Sequence, residues 1–183
     1  GDEEQARSAH QAFHHRLGDF ASFLDLLRRF EREDNREEFC NQNFLDVRVL
    51  AEVVNIKRQL SQIVSDMGVP LSHGGPLHDY LCAIARGLIQ FVCVHTRRGV
   101  YRSLSAEQIY IHPGSSMYRE DVQFIVAGEI VRTSRLYARS VSPLRTTMLR
   151  RIDPRLAEEL VPETRPRPRP SHKRGDRGGK GSQ

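Results

Sequence analysis

The chain has 183 residues, of which 38% are hydrophobic and 28% charged, a composition typical of a soluble globular protein with one or two small domains. No stretch approaches the ~18 apolar residues that a membrane span needs, and no signal-peptide pattern opens the sequence, so a cytoplasmic protein is expected. The three cysteines, Cys40, Cys82 and Cys93, lack CxxC spacing. This argues for a reducing compartment and against both a disulfide framework and a zinc site.

The formal net charge of +5 is unevenly distributed along the chain. Residues 1–80 carry nine basic and 14 acidic side chains, whereas residues 81–161 carry 12 basic and seven acidic ones. Residues 162–183 add seven basic and two acidic side chains. An acidic first half followed by a basic second half and a basic tail predicts polyanion binding near the C-terminal end.

Helical periodicity dominates the first half of the chain. A helix is expected over residues 1–34, interrupted at Gly18-Asp19, where Asp19 is placed to cap the apolar run that begins at Phe20. Residues 31–38 read as a loop or a frayed helix end, and a second helix is predicted from about Glu37 to Met67. Its candidate core positions are Phe44, Val47, Leu50, Val54, Ile63 and Met67. Gly68-Val-Pro70 ends it, and a third helix is predicted over Leu77–Gln90.

Short segments rich in β-branched and aromatic residues follow, separated by turn signals. Five strands are predicted, at about 91–94, 99–104, 108–111, 122–131 and 137–141, and this spacing is typical of a small barrel or sandwich. A short helix is expected over Arg155–Leu160. From Pro162 onward the Pro-Arg alternation and the Gly/Lys/Arg-rich end predict disorder. The sequence therefore predicts an α+β fold with a helical bundle (1–90), a small β-barrel (91–161) and a disordered basic tail (162–183).

Six short motifs, in order along the chain, resemble the C-terminal region of DEAH-box ATP-dependent RNA helicases. They begin at Ala9-His10, Phe39-Cys40, Ala85-Arg86, His112-Pro113, Thr133-Ser134 and Ile152-Asp153. The resemblance implies a helicase-associated helical domain followed by an oligonucleotide-binding (OB) fold, which closes the RNA channel over a RecA-like core. The compact sequence suggests a bacterial-type member. Phe39 stands where the family usually has Trp, and Gly114 replaces the first Ser of its Pro-Ser-Ser pattern.

The resemblance and the residue chemistry together single out candidate contacts to single-stranded RNA. In the loop of His112, Gly114 and Ser115 and at Thr133 and Ser134, hydroxyl and backbone NH groups can donate to phosphates. The remaining candidates are Arg132, Arg135, Tyr137 and Arg139 at one strand end, and Arg48, Lys57 and Arg58 on the second helix. Three alternatives stay open: a loop that only satisfies barrel hydrogen bonds, a Tyr137 ring that points into the barrel, and an ion pair between Arg48 and Glu52.

No catalytic residue and no metal site is predicted in this chain. The family binds ATP and Mg²⁺ in RecA-like domains, and the resemblance implies both only there. The one Gly-Lys-rich segment, Gly178–Ser182, lacks the spacing of a phosphate-binding loop. His10 and His14 share a helix face with His15 nearby, but no third metal ligand has suitable spacing.

The partners implied are single-stranded RNA, the RecA-like motor domains of the same parent chain and an activator protein, with no membrane. An alternative is a stand-alone, non-catalytic nucleic-acid-binding or protein-docking module, in which the acidic N-terminal half is the docking face. A third reading is structural support of the motor alone. The basic tail suits a salt-sensitive RNA tether or a protein-docking segment.

Overall fold

The computed structural model of the protein describes residues 1–161, and the tail predicted to be disordered, residues 162–183, lies outside them. In this part of the chain, five helices precede the strands, as predicted, and two short helices follow them. The α-helices are α1 (Asp2–Gln11), α2 (Asp19–Arg32), α3 (Arg36–Gln42), α4 (Val47–Asp66), α5 (Leu77–Gly87), α6 (Thr146–Ile152) and α7 (Leu156–Leu160). A short 3₁₀ turn, Ile89–Phe91, follows α5. Within the described residues, no helix is long and apolar enough to cross a lipid bilayer.

Within residues 1–161, seven short strands replace the five that were predicted. They are β1 (Val92–Arg97), β2 (Val100–Arg102), β3 (Ile109–Ile111), β4 (Phe124–Val126), β5 (Glu129–Arg132), β6 (Leu136–Arg139) and β7 (Ser142–Leu144). Their order in the sheet is β5-β6-β3-β2-β1-β4-β7, with β3 and β6 parallel and every other pair antiparallel.

The two additional strands arise from one bent hairpin. The predicted strand 122–131 is divided at Ala127-Gly128, and the last predicted strand bends at Ser140, where φ is +54°, and continues as β7. The backbone NH of Gly128 donates to the carbonyls of Arg139 and Ser140 across the bend. On one side of the bend β4 pairs with β7, and on the other side β5 pairs with β6. The bent hairpin therefore connects the two ends of the strand order. The sheet closes into a small barrel.

Two apolar layers stabilise the barrel. Its interior holds nine buried side chains: Cys93, Tyr101, Ile109, Ile111, Met117, Ile125, Ala127, Ala138 and Val141. The opposite faces of β1 and β4 are also buried, because α5, α6 and α7 cover them with residues such as Leu81, Leu149 and Leu156. The predicted third helix therefore packs on the outside of the barrel. The domain boundary at residues 90 and 91 stays a prediction.

The second predicted helix is two helices, which corrects the single helix expected from Glu37 to Met67. Phe44 lies in the intervening turn with φ of +55°, a conformation that helical residues do not adopt. Asp46 then begins α4, because its carboxylate accepts hydrogen bonds from the backbone NH groups of Arg48 and Val49 at 2.8 and 3.3 Å. Asn35 caps α3 in the same way, through the NH of Glu38.

The core positions predicted on this segment are half correct. Val47, Leu50 and Val54 pack on the small helical core formed by Phe30, Phe39 and Cys40. Phe44, Ile63 and Met67 are instead 42%, 54% and 72% exposed. The error has a geometric cause: Phe44 precedes α4, while Ile63 and Met67 belong to a second apolar stripe on another face of the helix. We call Val49, Val53, Ile56, Leu60, Ile63 and Met67 the α4 stripe; all six are exposed.

The start of α2 fastens the helices to the barrel. The sequence had suggested that Asp19 caps α2. The N-cap is instead Gly18, which makes no side-chain cap bond. The Asp19 carboxylate instead accepts four hydrogen bonds, from the Ser115 hydroxyl (2.6 Å), the Ser116 backbone NH and hydroxyl (2.9 and 2.7 Å) and the Val141 NH (2.7 Å). Its own backbone NH donates to the Val141 carbonyl at 2.8 Å. One buried carboxylate therefore ties α2 to the loop after β3 and to the bend of the hairpin.

Gly18 makes this contact possible. Its φ of +85° and ψ of −169° lie in a region open almost only to glycine. A Cβ at this position would lie 2.5 Å from the Ser142 Cα and 2.6 Å from the Val141 carbonyl oxygen. Any side chain would force α2 away from the barrel.

Replacement of the buried carboxylate is expected to be costly. Asp19→Ala leaves the Ser115 hydroxyl and the Val141 NH buried without an acceptor, so the free energy of unfolding should fall by roughly 3 kcal/mol. Urea denaturation followed by circular dichroism measures it. The control is Asp25→Ala on the same helix, where the side chain is 48% exposed and the change should stay below about 0.5 kcal/mol. Equal losses in the two variants would contradict the assigned role of Asp19.

A glycine pair separates backbone strain from close packing. Gly18→Ala and Gly68→Ala both place a methyl group at positive φ, but a Cβ at Gly68 meets nothing within 4 Å. We expect Gly68→Ala to cost about 1 kcal/mol, and Gly18→Ala roughly 2 kcal/mol more, because only the latter collides with backbone atoms. Thermal unfolding of both variants measures the difference; similar melting temperatures would show that α2 does not need this close approach.

Candidate nucleic-acid interface

The parallel pairing of β3 with β6 brings the two principal motifs together. Tyr110 pairs with Tyr137 and Ile111 with Ala138, and the His112 backbone NH donates to the Ala138 carbonyl at 2.9 Å. The His-Pro loop that follows β3 therefore lies beside the end of β6, although some 25 residues separate the motifs along the chain. Neither motif alone reveals this pairing.

Tyr137 points out of the barrel, which answers the alternative left open by the sequence. Its neighbour Ala138 is fully buried in the barrel interior, so strand alternation places Tyr137 on the outer face. There its ring centroid lies 6.4 Å from that of Tyr110 and 5.8 Å from that of His112. Three rings therefore form an outward-facing aromatic cluster.

A concave surface of about 480 Å³ lies on this face; we call it the hairpin groove. Its lining includes five predicted candidates. They are His112, Thr133, Ser134, Tyr137 and Arg139, together with Pro113 and Val131. Thr133 and Ser134 form the exposed turn between β5 and β6, closed by a bond from the Thr133 NH to the Arg135 carbonyl at 2.9 Å. Hydroxyl groups, aromatic rings and a guanidinium group thus share one shallow surface.

The three predicted arginines of this region have different surroundings. Arg139 forms an exposed ion pair with Glu129 at 3.2 Å. The Arg135 guanidinium lies over the Tyr110 ring, 4.9 Å from its centroid, and has no carboxylate partner among residues 1–161. Arg132 is exposed and pairs with Leu136. By strand alternation, its side chain and that of Tyr137 therefore lie on opposite faces of the hairpin. The structure therefore brings Arg135 and Arg139, but not Arg132, to the aromatic face.

Polar groups of the His-Pro loop are largely used within the protein. The Gly114 NH donates to Nδ1 of His112 at 3.0 Å, which leaves Nε2 as the nitrogen free to donate when the ring is neutral. The Ser115 hydroxyl donates to Asp19 and accepts from the Met117 NH at 3.1 Å, and Ser115 is only 8% exposed. These bonds agree with the alternative in which the loop satisfies hydrogen bonds within the protein. An RNA contact by Gly114 or Ser115 stays a prediction.

Gly114 and Ser115 line a separate cleft of about 410 Å³ between the helices and the barrel. His10, Phe13, His14 and Phe23 form its helical side, and His112 and Arg139 form part of its barrel side. Because His112 and Arg139 also line the hairpin groove, the two concavities share a wall.

The candidates on the second predicted helix lie elsewhere. Arg48, Lys57 and Arg58 are exposed on α4, which packs against α2 and α3. Lys57 Nζ lies 2.8 Å from both carboxylate oxygens of Glu31, and Arg58 donates to the Asn55 side chain at 2.6 Å. In the described part of the chain, Arg48 forms no ion pair with Glu52. The structure does not group these residues with those of the hairpin groove.

Within residues 1–161, no group of three or more His, Cys, Asp and Glu side chains is arranged to hold a metal ion. All three cysteines are buried and unpaired by disulfides. In the barrel interior, burial raises the pKa of the Cys93 thiol to about 12, so the thiol stays protonated at neutral pH.

Sequence reasoning missed several residues of this face. Tyr110 lies between two buried isoleucines in β3. This alternation of apolar and aromatic residues was the one signal that its ring faces out of the barrel. Tyr118 and Arg119 lie in the loop after β3, where no periodicity marks them. The role of Asp19 depends on partners about 96 and 122 residues away along the chain, which no local pattern shows.

Comparison with known proteins agrees with this architecture. A family described as the oligonucleotide/oligosaccharide-binding (OB)-fold matches residues 81–156. The ATP-dependent RNA helicase HrpA of Borreliella burgdorferi is 34% identical over 146 residues, covering 79% of this chain and 18% of that protein. The probable ATP-dependent RNA helicase DHX35 of Pongo abelii is 24% identical, covering 85% of this chain and 22% of the relative. HrpA of Escherichia coli is 24% identical, covering 87% and 12%.

The chain thus spans about a fifth or less of the length of the helicases it matches. The relatives include bacterial and animal proteins, so the bacterial origin of this chain stays a prediction. The family match, the similarity over most of the chain and the helix-then-barrel order agree with one another. Residues 81–156 match the OB-fold family, and most of the chain is similar to the C-terminal OB region of DEAH-box ATP-dependent RNA helicases.

Proposed function

We propose that this chain is the accessory C-terminal region of a DEAH-box RNA helicase and that its hairpin groove holds single-stranded RNA. The observation that carries the proposal is the β3–β6 pairing, which places Tyr137, His112, Arg139 and the Thr133-Ser134 turn on one exposed surface. Single-strand binders combine these same groups: cations track phosphates, aromatic rings stack on bases and hydroxyl groups donate to the backbone.

Each group has a distinct task in this proposal. Arg135 and Arg139 attract phosphates, and the Thr133 and Ser134 hydroxyls donate to phosphate or sugar oxygens. Tyr137 offers a ring for base stacking, which tolerates any base because every base has a π face. The groove therefore grips RNA without reading its sequence.

The motor function belongs to other parts of the parent protein in this proposal. ATP and Mg²⁺ are bound by RecA-like domains of the same chain, over which the present region closes the RNA channel. The bonds of Asp19 connect α2 to the wall of the groove, so a displacement of the helices is transmitted to the residues that hold RNA. An activator protein and a cytoplasmic location complete the proposal.

A docking role is the second candidate, and the α4 stripe favours it. Six exposed apolar side chains follow one face of α4, where water contact is unfavourable. The stripe lies in the acidic half of the chain, which the sequence had indicated as the docking face. A docking module and an RNA-binding region are distinguished by where substitutions act: on the stripe or in the groove.

Loss of the two arginines of the aromatic face should weaken RNA binding in a salt-dependent way. In the 183-residue chain, Arg135→Ala combined with Arg139→Ala is expected to lower oligouridylate affinity about tenfold at low salt. The slope of log affinity against log salt should decrease by about 1.4, since each phosphate contact on a single strand contributes about 0.7. Fluorescence anisotropy across a salt series measures both quantities.

The matched control is Arg150→Ala combined with Arg155→Ala, two exposed arginines outside the groove. This control removes the same charge and should leave the slope nearly unchanged. If both double variants weaken binding equally, the protein attracts RNA only through net charge, and the assignment to the groove is wrong.

Removal of the carboxylate beside Arg139 should have the opposite effect. Glu129→Gln frees the Arg139 guanidinium from its 3.2 Å partner and removes a negative charge near the phosphate path. We expect oligouridylate to bind roughly threefold more tightly, an effect of the size of an exposed ion pair. Glu158→Gln on α7 is the control. A loss of affinity in Glu129→Gln would show that the ion pair itself positions Arg139 for binding.

A further inference from the structure

A second groove adjoins the hairpin groove along Pro113 and Tyr137, which line both. Its volume is about 250 Å³, and its lining combines four tyrosines with three arginines. We call it the tyrosine–arginine groove. Its members that carry the argument are Tyr110, Tyr118, Tyr137, Arg98, Arg119 and Arg135.

The rings of this groove are partly covered by guanidinium groups. Arg135 lies 4.9 Å from the Tyr110 ring centroid, and Arg119 lies 5.2 Å from that of Tyr118. Tyr118 is 41% exposed, so one large ring is in contact with solvent. None of the three arginines has a carboxylate partner among residues 1–161. Exposed rings beside guanidinium groups that form no ion pair are suited to a base and its phosphate.

The loop that carries Tyr118 and Arg119 is held by hydrogen bonds from the barrel interior. Tyr101, which is almost fully buried, donates from its hydroxyl to the carbonyls of Glu120 and Val122 at 3.1 and 3.0 Å. Burial, opposed only in part by the hydrogen bond to Val122, raises the pKa of Tyr101, so this donor remains protonated. Arg119 has φ of +69°, a strained value for a non-glycine residue, and such strain is concentrated at ligand-binding positions.

Two carboxylates also line the groove and decide which part of a nucleotide it suits. Asp121 Oδ1 accepts from the Gly99 NH at 3.0 Å and lies 3.4 Å from His95 Nε2, which places this carboxylate at the turn between β1 and β2, next to Arg98 in the chain fold. Glu120 is exposed and would repel a phosphate beside it. The base is therefore expected on the tyrosine rings, with the phosphate toward Arg135.

We infer that the tyrosine–arginine groove is a second nucleotide subsite, which extends the path of a single RNA strand from the hairpin groove across the Pro113–Tyr137 ridge. The subsite rests on the proposed function of the hairpin groove, whose strand it continues. It predicts that binding strength depends on strand length, because a short strand fills only the hairpin groove.

Affinity for oligouridylates of about four and about twelve nucleotides, near the two ends of the OB-fold site-size range, tests the subsite in the 183-residue chain. Tyr118→Ala should lower affinity for the longer strand about tenfold and leave the shorter strand unchanged. Tyr118→Phe keeps the ring and should bind as the parent does. Glu120→Gln should strengthen binding of the longer strand only.

A photocrosslink gives an independent readout. The longer strand carrying 5-iodouridine should crosslink at Tyr118 or Tyr110, as located by mass spectrometry, and the shorter strand should not. Equal affinity of parent and Tyr118→Ala for the longer strand, with no such crosslink, would overturn the subsite. The proposed function fails separately: Arg139→Ala, a change in the hairpin groove alone, would then bind the shorter strand as well as the parent does. Circular dichroism confirms that each variant is folded.

Discussion

The buried carboxylate of Asp19 is the interaction on which the relative placement of the helices and the barrel depends. Four donors converge on its two oxygens, from the loop after β3 and from the bend of the hairpin. These donors come from segments that also form walls of the grooves. The buried hydrogen bonds of Asp19 therefore hold in place the segments whose exposed residues line the grooves. The glycine before Asp19 is as necessary as the acid, because only its missing Cβ lets α2 approach the bend.

Local patterns predicted the elements well and their assembly poorly. The strand positions followed from β-branched and aromatic segments, and the resemblance of six motifs indicated the OB fold. The pairing of β3 with β6 and the bend at Ser140 were not predictable, since both depend on residues distant in sequence. Periodicity also misled at α4: it contains two apolar stripes, and sequence alone does not tell which one meets the core. The predicted core positions were counted from Phe44, but Phe44 lies in a turn before α4, so the helical periodicity of α4 does not start there.

Among the candidate site residues, the chemistry was easier to predict than the direction of each side chain. His112, Tyr137 and Arg139 were selected because they lie in motifs that resemble the helicase family and have suitable side-chain chemistry, and the structure places them on one face. Arg132 differs from Arg135 by its position in the strand alternation, and the hairpin turn between them sets that difference. Ser115 was selected for its hydroxyl group, which the fold uses to satisfy Asp19. Buried carboxylates need donors, and short hydroxyl side chains in loops are effective ones.

The α4 stripe also determines the geometry of whatever helix packs along it. Its members form two series that each repeat every seven residues, Val49-Ile56-Ile63 and Val53-Leu60-Met67, so the stripe has a period of 3.5 instead of the 3.6 residues of a straight helical turn. Over the length of α4, a stripe with this spacing drifts slowly around the helix axis. A helix that stays in contact with all six side chains must therefore coil around α4 with a left-handed twist and cross it at about 20°.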